Sequence, residues 1–567
     1  MDKETMQRYE TWKNDPYFDE DTRRELMAIE GNEKEIEDRF FQELAFGTGG
    51  LRGVLGAGTN RMNVYMVRKA TQGLADYINS HGSEAAARGV VIAHDCRHFS
   101  REFTLEAASV LAGNGIKAYI FEDLRPTPQL SFALREKQAI AGIVVTASHN
   151  PPEYNGFKVY WEDGAQVATE TAEAIMEAIG KVEDLSSINQ LPQEKAAEKN
   201  LLEILGKAMD DAYVDAVLKQ SLRQDAIQRM ADSFKVVYTP LHGTGTYLVP
   251  EVLRRAGFKK VIPEPEQSRP DPEFSTVKSP NPEEKEAFEL AMELAEKEKA
   301  DLIIGTDPDG DRVGAVVKNS EGNYQVLTGN QTGALMVEYL IRSRKELETL
   351  PDNGLIVKTI VTSEMGAKIA ESYGVAVENT LTGFKYIGDR IKHYEETGEK
   401  EFIMGYEESY GYLAGTHARD KDAVVASLLI AEMAAVYALE GMNLYDALLR
   451  LYEKYGTYRE TLKSITLKGK EGMEKISHIM NYFRNQAPKQ LGEDRIIKIE
   501  DYQKMPGFPA SNVIKLIIST DDWVCLRPSG TEPKLKIYAA AKGNGVQDTD
   551  QRLQRWVGQV EKIIANI

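Results

Sequence analysis

Apolar runs of strand length recur along this chain, and between them lie stretches where apolar positions return every three or four residues. The first run, residues 89–93 (GVVIA), has no polar interruption and predicts a strand buried on both faces. A polar loop follows, then an amphipathic helix running to about Asn114, with Gly115 as its stop signal. A second strand at 117–121, another helix and the run 141–146 (AGIVVT) complete a β-α-β-α-β series. The series recurs from Phe234 (FKVVYTPLHGTG), through a helix ending near Ala256 and Gly257, to a strand at 301–305. It recurs again from Gly354 (GLIVKTIVTSEMG), through a helix ending near Gly374, to a strand at 401–404.

Strands alternating with helices predict parallel or mixed sheets covered on both faces, hence an α/β class built from three repeated domains. After about Tyr455 strands and helices fall into separate runs, with paired strands around 522–540 and a last helix from about Asp548. That pattern predicts a smaller C-terminal α+β domain. The first 45 or so residues predict a helical extension. The expected divisions are 1–205 (extension and domain I), 206–323 (domain II), 324–455 (domain III) and 456–567 (domain IV).

Size agrees with this division, since 567 residues at about 150 per domain make roughly four. A net charge of −19 repels polyanions, and no concentrated basic patch offsets it. Nucleic acid and membrane are therefore not expected partners, and an anionic small substrate needs a few Arg and Lys gathered locally. The two cysteines, Cys96 and Cys525, are too few for a disulfide framework or a thiolate zinc site. The N-terminal residues are charged from the second position and lack the apolar core of a leader. The most apolar stretch, Ala423–Leu439, carries Glu432 and is short for a membrane span. A buried helix and a cytoplasmic protein are the expectation.

Each repeat ends on a strand that runs into a polar loop: TASHNPPEYNG, TDPDGDR and YEESYG. In open parallel sheets ligands gather beyond the carboxyl ends of strands, so each domain offers one distinctive loop to a shared cleft. In the first loop Ser148, held by the Asn150-Pro151-Pro152 turn, suits a nucleophile or phosphoryl carrier. Taken alone it reads more readily as a helix cap or ST-turn, and the rest of the sequence reverses that. In the second loop Asp307, Asp309 and Asp311 bring three carboxylates together, which repel unless a hard cation sits among them. All-oxygen donors favour Mg²⁺ over Zn²⁺. A calcium loop of similar spacing fails, because its sixth position is Arg312 and its twelfth Lys318. A solvated acidic turn is the plain alternative.

Lys158, ten residues after Ser148 on a returning strand, is a candidate general base and acid, on the expectation that a nearby metal disfavours its charged form. His149 adjoins the serine and could act with it or merely orient the loop. Glu407 and Ser409 offer acceptors for sugar hydroxyls. Arg527, Ser529, Gly530 and Thr531, with Lys534 behind them, form a candidate phosphate cradle, although a simple hairpin turn has the same look. Arg52, in the glycine-rich 47–53, adds one more guanidinium. These features answer one need. Phosphate monoesters are so inert that catalysis reaches accelerations of about 10²¹-fold, and metal, Lys and Arg must neutralise the transferring group.

The motifs TASHNPP, DPDGDR, GYEES and RPSGTEPK occur in this order across most of the chain, and in them it resembles the α-D-phosphohexomutases, in particular the phosphoglucomutase/phosphopentomutase branch. The resemblance implies four domains around a central cleft, with Ser148 as phosphoserine. It implies Asp307, Asp309 and Asp311, with the Ser148 phosphate, as magnesium ligands, and Lys158 as the acid/base. It further implies Glu407 and Ser409 as sugar contacts and Arg527, Ser529, Gly530 and Thr531 as the grip on the phosphate that stays put. Arg52, Arg312 and Lys385 are implied as further phosphate or substrate contacts. The implied reaction interconverts glucose 1-phosphate and glucose 6-phosphate through glucose 1,6-bisphosphate. Mannose or pentose phosphates by the same route are the nearest alternatives, and a serine phosphomonoesterase a distant one. Tyr406 stands where many members have Gly, a departure that bears on the choice of sugar.

Overall fold

The structure is a computed structural model and describes residues 2–47, 49–467, 469–529 and 534–567. It divides into two compact units, Met1–Ala315 with Gly415–Glu432, and Val316–Ala414 with Met433–Ile567. A short stretch of the third repeat therefore belongs with the first unit.

In the first unit, three helices (Lys3–Asn14, Glu20–Ala28, Glu33–Phe40) form the N-terminal extension, capped by Asp2, Asp19 and Asn32 side chains. Aromatic packing fixes them. Trp12 stacks on Phe18 with centroids 4.3 Å apart and meets Tyr65 edge-on at 5.4 Å, pinning the extension to the helix Val64–Ser80. A six-stranded sheet follows in the spatial order Gly50–Val54, Tyr154–Trp161, Ala141–Val145, Val90–His94, Ala118–Phe121, Leu202–Leu205. The last four are parallel and the first two antiparallel to their neighbours. Every residue of Val90–His94 and Ala141–Val145 is buried, as unbroken apolar runs require. The helix Ser100–Gly113 stops where expected, with Asn114 as its cap and Gly115 at φ +75°. A second, parallel set comprises Leu302–Thr306, Lys235–Thr239 and Lys260–Pro263, with the helix Gly245–Ala256 beside it.

In the second unit, Gly354–Thr359 pairs in parallel with Ala376–Thr380 and Glu401–Tyr406, and Tyr412–Ala414 adds an antiparallel edge. The C-terminal sheet is antiparallel throughout, ordered Thr457–Thr466, Lys534–Gly543, Trp523–Pro528, Ile514–Ile517, Lys498–Asp501. One face buries Ile537, Leu526 and Leu516 against the helices Gly469–Gln486 and Val546–Ala565. The other carries Trp523, Cys525 and Tyr538, which pack with Ile360, Val361 and Leu381 of the third repeat.

The three α/β repeats and the separate C-terminal domain stand as the sequence predicts. The antiparallel strand Tyr154–Trp161 is the expected return from the serine loop and makes the first sheet mixed. Periodicity missed the two edge strands, Gly50–Val54 and Leu202–Leu205, the latter with only Leu205 buried and so no buried apolar run. The helix Ala423–Leu439 is lined by buried residues from Ala423 to Tyr437. Among the described residues no single helix is long and apolar enough to cross a membrane.

Candidate active site

Strand ends place the chemistry. The buried strand Ala141–Val145 delivers Ser148, and Leu302–Thr306 runs directly into Asp307. Ser148 Oγ donates to Asp307 Oδ2 at 3.0 Å, across 159 positions of sequence. Ser148 is 5% exposed and sits at φ +54°, a conformation that a non-glycine residue holds only when its surroundings compel it. The compelling group is Arg97. Its guanidinium donates to the Ser148 carbonyl at 2.6 Å, to Pro151 O at 2.8 Å, to Tyr154 O at 3.0 Å and also to Asn150 O. Asp95 Oδ2 lies 3.3 Å from Arg97 Nε and accepts from Thr146 Oγ1 at 2.6 Å, while Thr146 Oγ1 accepts from Ser148 N at 2.9 Å. Charge-assisted bonds of this kind contribute about 1.5–3 kcal/mol each, enough together to hold a strained turn.

The carboxylates Asp307, Asp309 and Asp311 are all buried, and each offers an oxygen within 4.8 Å of the others. Asp309 Oδ1 and Asp311 Oδ1 are buried without a hydrogen-bond partner among the described residues. Buried anionic oxygens converging without donors fit a small hard cation and no other common ligand. Burial and the neighbouring carboxylates push the Asp307 and Asp311 carboxyls above their usual range. Burial acts the same way on Asp309, but Lys158, a hydrogen bond with Asp307 and Lys421 together outweigh it and hold that carboxyl well below the usual range. Gly310, at φ +67°, makes the turn, and a Cβ there would lie 2.7 Å from Pro126 Cβ. Gly243 of HGTG packs on the same loop, where a Cβ would lie 2.3 Å from Pro308 Cα.

Lys158 Nζ is 2.7 Å from Asp309 Oδ2 and 3.8 Å from Asp311 Oδ2. Burial lowers the basicity of this amine, yet the two carboxylates raise it further, so it is an ammonium here. Gly50 lies opposite Lys158 in the sheet, where a Cβ would meet Phe157 O at 2.2 Å, so the glycine-rich segment is first a close strand pairing. Arg52 is exposed on that strand and donates to Asn150 Oδ1 at 3.3 Å. Arg312 donates to Glu283 Oε1 at 2.6 Å, and its backbone N–H donates to Asp307 Oδ1 at 2.9 Å. His149 Nδ1 is 3.2 Å from Ser148 Oγ, and burial, then Arg312 and Arg52, keep its imidazole neutral.

Sequence reasoning missed Arg97 and Asp95, and it missed Lys421, whose Nζ is 3.1 Å from Asp311 Oδ2 and 2.8 Å from Asp420 Oδ1. The available signals were the polar DCR at the carboxyl end of a buried strand and the charged run HARDKD just before an apolar helix.

The remaining predicted residues belong to the second unit. Glu407 Oε1 accepts from the backbone N–H of Gly383, which begins the turn into the helix carrying Lys385. Glu408 Oε2 accepts from Thr359 Oγ1 at 3.1 Å and Thr362 Oγ1 at 3.4 Å, and the Arg527 charge acts on it. Burial, then the Glu407 charge, push the Glu408 carboxyl up to about 7. Ser409 is half-buried beside them. Burial lowers the Lys385 amine. Arg527 and Ser529 are half-buried at the end of their strand, with Ser529 N–H donating to Lys534 O at 2.8 Å. Gly530 and Thr531 lie outside the described residues. Tyr406 is fully buried, its ring against Gly333 and its hydroxyl against Gly366. It packs the interior of its domain.

A strained serine on a buried aspartate triad that could hold a cation, set on repeated α/β domains, fits the class of phosphotransferases. Models of the phosphoglucomutase/phosphomannomutase α/β/α domains I, II and III match residues 43–186, 211–322 and 328–455, and the chain belongs to that family. It is 37% identical over 533 residues to a phosphoglucomutase of Staphylococcus haemolyticus, covering 92% of this chain and 94% of that protein. A phosphoglucomutase of Staphylococcus aureus is 38% identical over 536 residues, covering 92% and 94%. Among solved structures, the open form of pp63/parafusin, a phosphoglucomutase from Paramecium, shares the fold with a TM-score of 0.68 at 16% identity, covering 92% and 95%. A family protein from Burkholderia thailandensis does so with 0.67 at 18%, covering 92% and 97%.

Proposed function

We propose that this chain is a magnesium-dependent phosphoglucomutase that interconverts glucose 1-phosphate and glucose 6-phosphate. The observation that carries the reading is the Ser148 hydroxyl, strained and held 3.0 Å from a buried aspartate triad with unpartnered oxygens. The relatives named phosphoglucomutase favour glucose over mannose or a pentose.

In this reading Asp307, Asp309 and Asp311, with an oxygen of phosphorylated Ser148, would hold Mg²⁺, which would supply charge neutralisation to the transferring group. The phosphoryl group leaves Ser148 as its P–Oγ bond breaks and a bond from phosphorus to the free hydroxyl of glucose 1-phosphate forms. Lys158 takes the proton of the attacking sugar hydroxyl as general base and passes it as general acid to Ser148 Oγ, the leaving oxygen. Neutral His149 stays within reach of Oγ. Glucose 1,6-bisphosphate then presents its other phosphate to Ser148, and the reverse steps restore phosphoserine and release glucose 6-phosphate. Glu407 and Ser409 bind sugar hydroxyls. Arg527, Ser529, Gly530 and Thr531 grip the resting phosphate, and Arg52, Arg312 and Lys385 add contacts. The divisions 1–205, 206–323, 324–455 and 456–567 each contribute one of these loops. A cytoplasmic setting belongs to the same reading.

Purified protein should carry one phosphate, about 80 Da, that Ser148→Ala lacks. Glucose 1-, mannose 1- and ribose 1-phosphate should be compared as substrates, each primed with the matching bisphosphate. Faster turnover of ribose 1-phosphate overturns the sugar, and release of inorganic phosphate as fast as isomerisation overturns the mutase.

A further inference from the structure

Lys158 and Tyr160 are two positions apart on the strand Tyr154–Trp161 and so share one face of the sheet. Lys158 reaches the carboxylates itself. Tyr160, fully buried, donates from Oη to Asp420 Oδ2 at 2.7 Å. The other oxygen of Asp420 accepts from Lys421 Nζ at 2.8 Å, and that ammonium lies 3.1 Å from Asp311 Oδ2. One strand thus sets two ammonium groups on one carboxylate oxygen, the second through an aspartate.

The backbone of this segment has other anchors. Asp422 Oδ1 accepts from Val424 N and Val425 N at 2.9 Å each and from Tyr213 Oη at 2.9 Å, and its Oδ2 lies 2.8 Å from His417 Nε2. Arg419 N–H donates to Ser131 Oγ at 2.9 Å. The Tyr160 hydroxyl is therefore not needed to dock the segment. Asp420 Oδ1 also accepts from the Lys421 backbone N–H at 2.8 Å, so what Tyr160 adds is a hold on the other oxygen, Oδ2, and with it the plane of the carboxylate that meets Lys421 Nζ. A flexible lysine stem has several rotamers of similar energy, and a fixed carboxylate selects one.

We propose that Tyr160 is a positioning residue for phosphoryl transfer: through Asp420 it fixes the Lys421 ammonium on the carboxylate triad. Fixed there, the ammonium stands ready for charge on the transferring phosphate without reorganising at the moment of reaction. This rests on the phosphotransfer reading above.

The test uses the full-length protein as Tyr160→Phe, Lys421→Met and the double variant. Three quantities are read: kcat and KM for glucose 1-phosphate, the Kd for Mg²⁺ by calorimetry, and Tm. Tyr160→Phe should lower kcat about tenfold, the loss of one hydrogen bond to a charged group, with KM within about twofold and Tm lowered by no more than a few degrees. Lys421→Met should lower kcat further, and the double variant should fall no lower than Lys421→Met alone. Removing the ammonium beside Asp311 should tighten Mg²⁺ binding, and Tyr160→Phe should shift it the same way by less. Multiplying losses in the double variant, or wild-type kcat and Mg²⁺ affinity in Tyr160→Phe, overturn the proposal. A wild-type protein that neither carries phosphate nor isomerises the sugar defeats the phosphotransfer reading instead, and the Mg²⁺ arm still decides whether Tyr160 governs Lys421.

Discussion

Ser148 and Glu408 show how single residues carry cost for a site. Four carbonyls of the serine turn accept from one guanidinium, so Arg97→Lys, which keeps charge but loses the planar fork, should release the turn. The expected outcome is a protein that folds yet carries less than about a tenth of the wild-type phosphate on Ser148 by mass spectrometry, a loss of more than about 1.4 kcal/mol in positioning. Full phosphorylation in that variant would show that the turn needs no clamp. Glu408 tests electrostatics. Its folded pKa of about 7 lies above the ordinary carboxylate range, because burial and the Glu407 charge oppose ionisation. The folded protein therefore binds more protons than the unfolded chain between the two values, and stability falls as pH rises from about 5 to about 8. Glu408→Gln removes this contribution, so its Tm against pH should be flatter than wild type over that window. Parallel curves would contradict the assignment.

At the level of elements, close packing rather than propensity decides the third repeat. The helices Gly329–Glu346 and Met365–Ser372 approach the strand Glu401–Tyr406 through Gly333 and Gly366, the two sites that Tyr406 fills. A Cβ on Gly366 would lie 2.1 Å from Tyr406 Oη, so Gly366→Ala should cost about 1–3 kcal/mol. That hydroxyl is buried without a hydrogen-bond partner among the described residues. Tyr406→Phe alone should thus leave stability unchanged or raise it by up to about 1 kcal/mol, and combined with Gly366→Ala should recover much of the loss. Urea unfolding of the two single variants and the double one measures this directly. Additive losses would place the strain elsewhere.

For the whole molecule the question is how a chain of net charge −19 handles anions. In the first unit the answer is local. Lys158 and Lys421 sit on the aspartates, and Arg52 and Arg312 act on His149 next to Ser148. Two ammonium groups also relieve repulsion among three buried carboxylates, so the protein should stay folded when Mg²⁺ is chelated. Chelation should abolish isomerisation, and Mg²⁺ at about a hundred times its Kd should stabilise the fold by about 2.7 kcal/mol. Thermal scans with and without Mg²⁺ should show that shift in wild type and lose it in Asp309→Asn/Asp311→Asn. An equal shift in both would place the cation elsewhere.

The strands, the repeat and the loops were legible from sequence because burial on both faces writes itself as unbroken apolar runs, and the polar loops begin where those runs stop. The chemical identity of Ser148, Asp307, Asp309, Asp311 and Lys158 was legible for the same reason, since residue type alone carries it. Which groups meet was not. The contact of Ser148 with Asp307 spans 159 positions, and that of Tyr160 with Asp420 spans 260. Arg97 looks like any loop arginine until the fold lays four carbonyls around it. The opposing effects of burial and of Asp309 and Asp311 on Lys158 also waited on the fold, because they exist only once distances do.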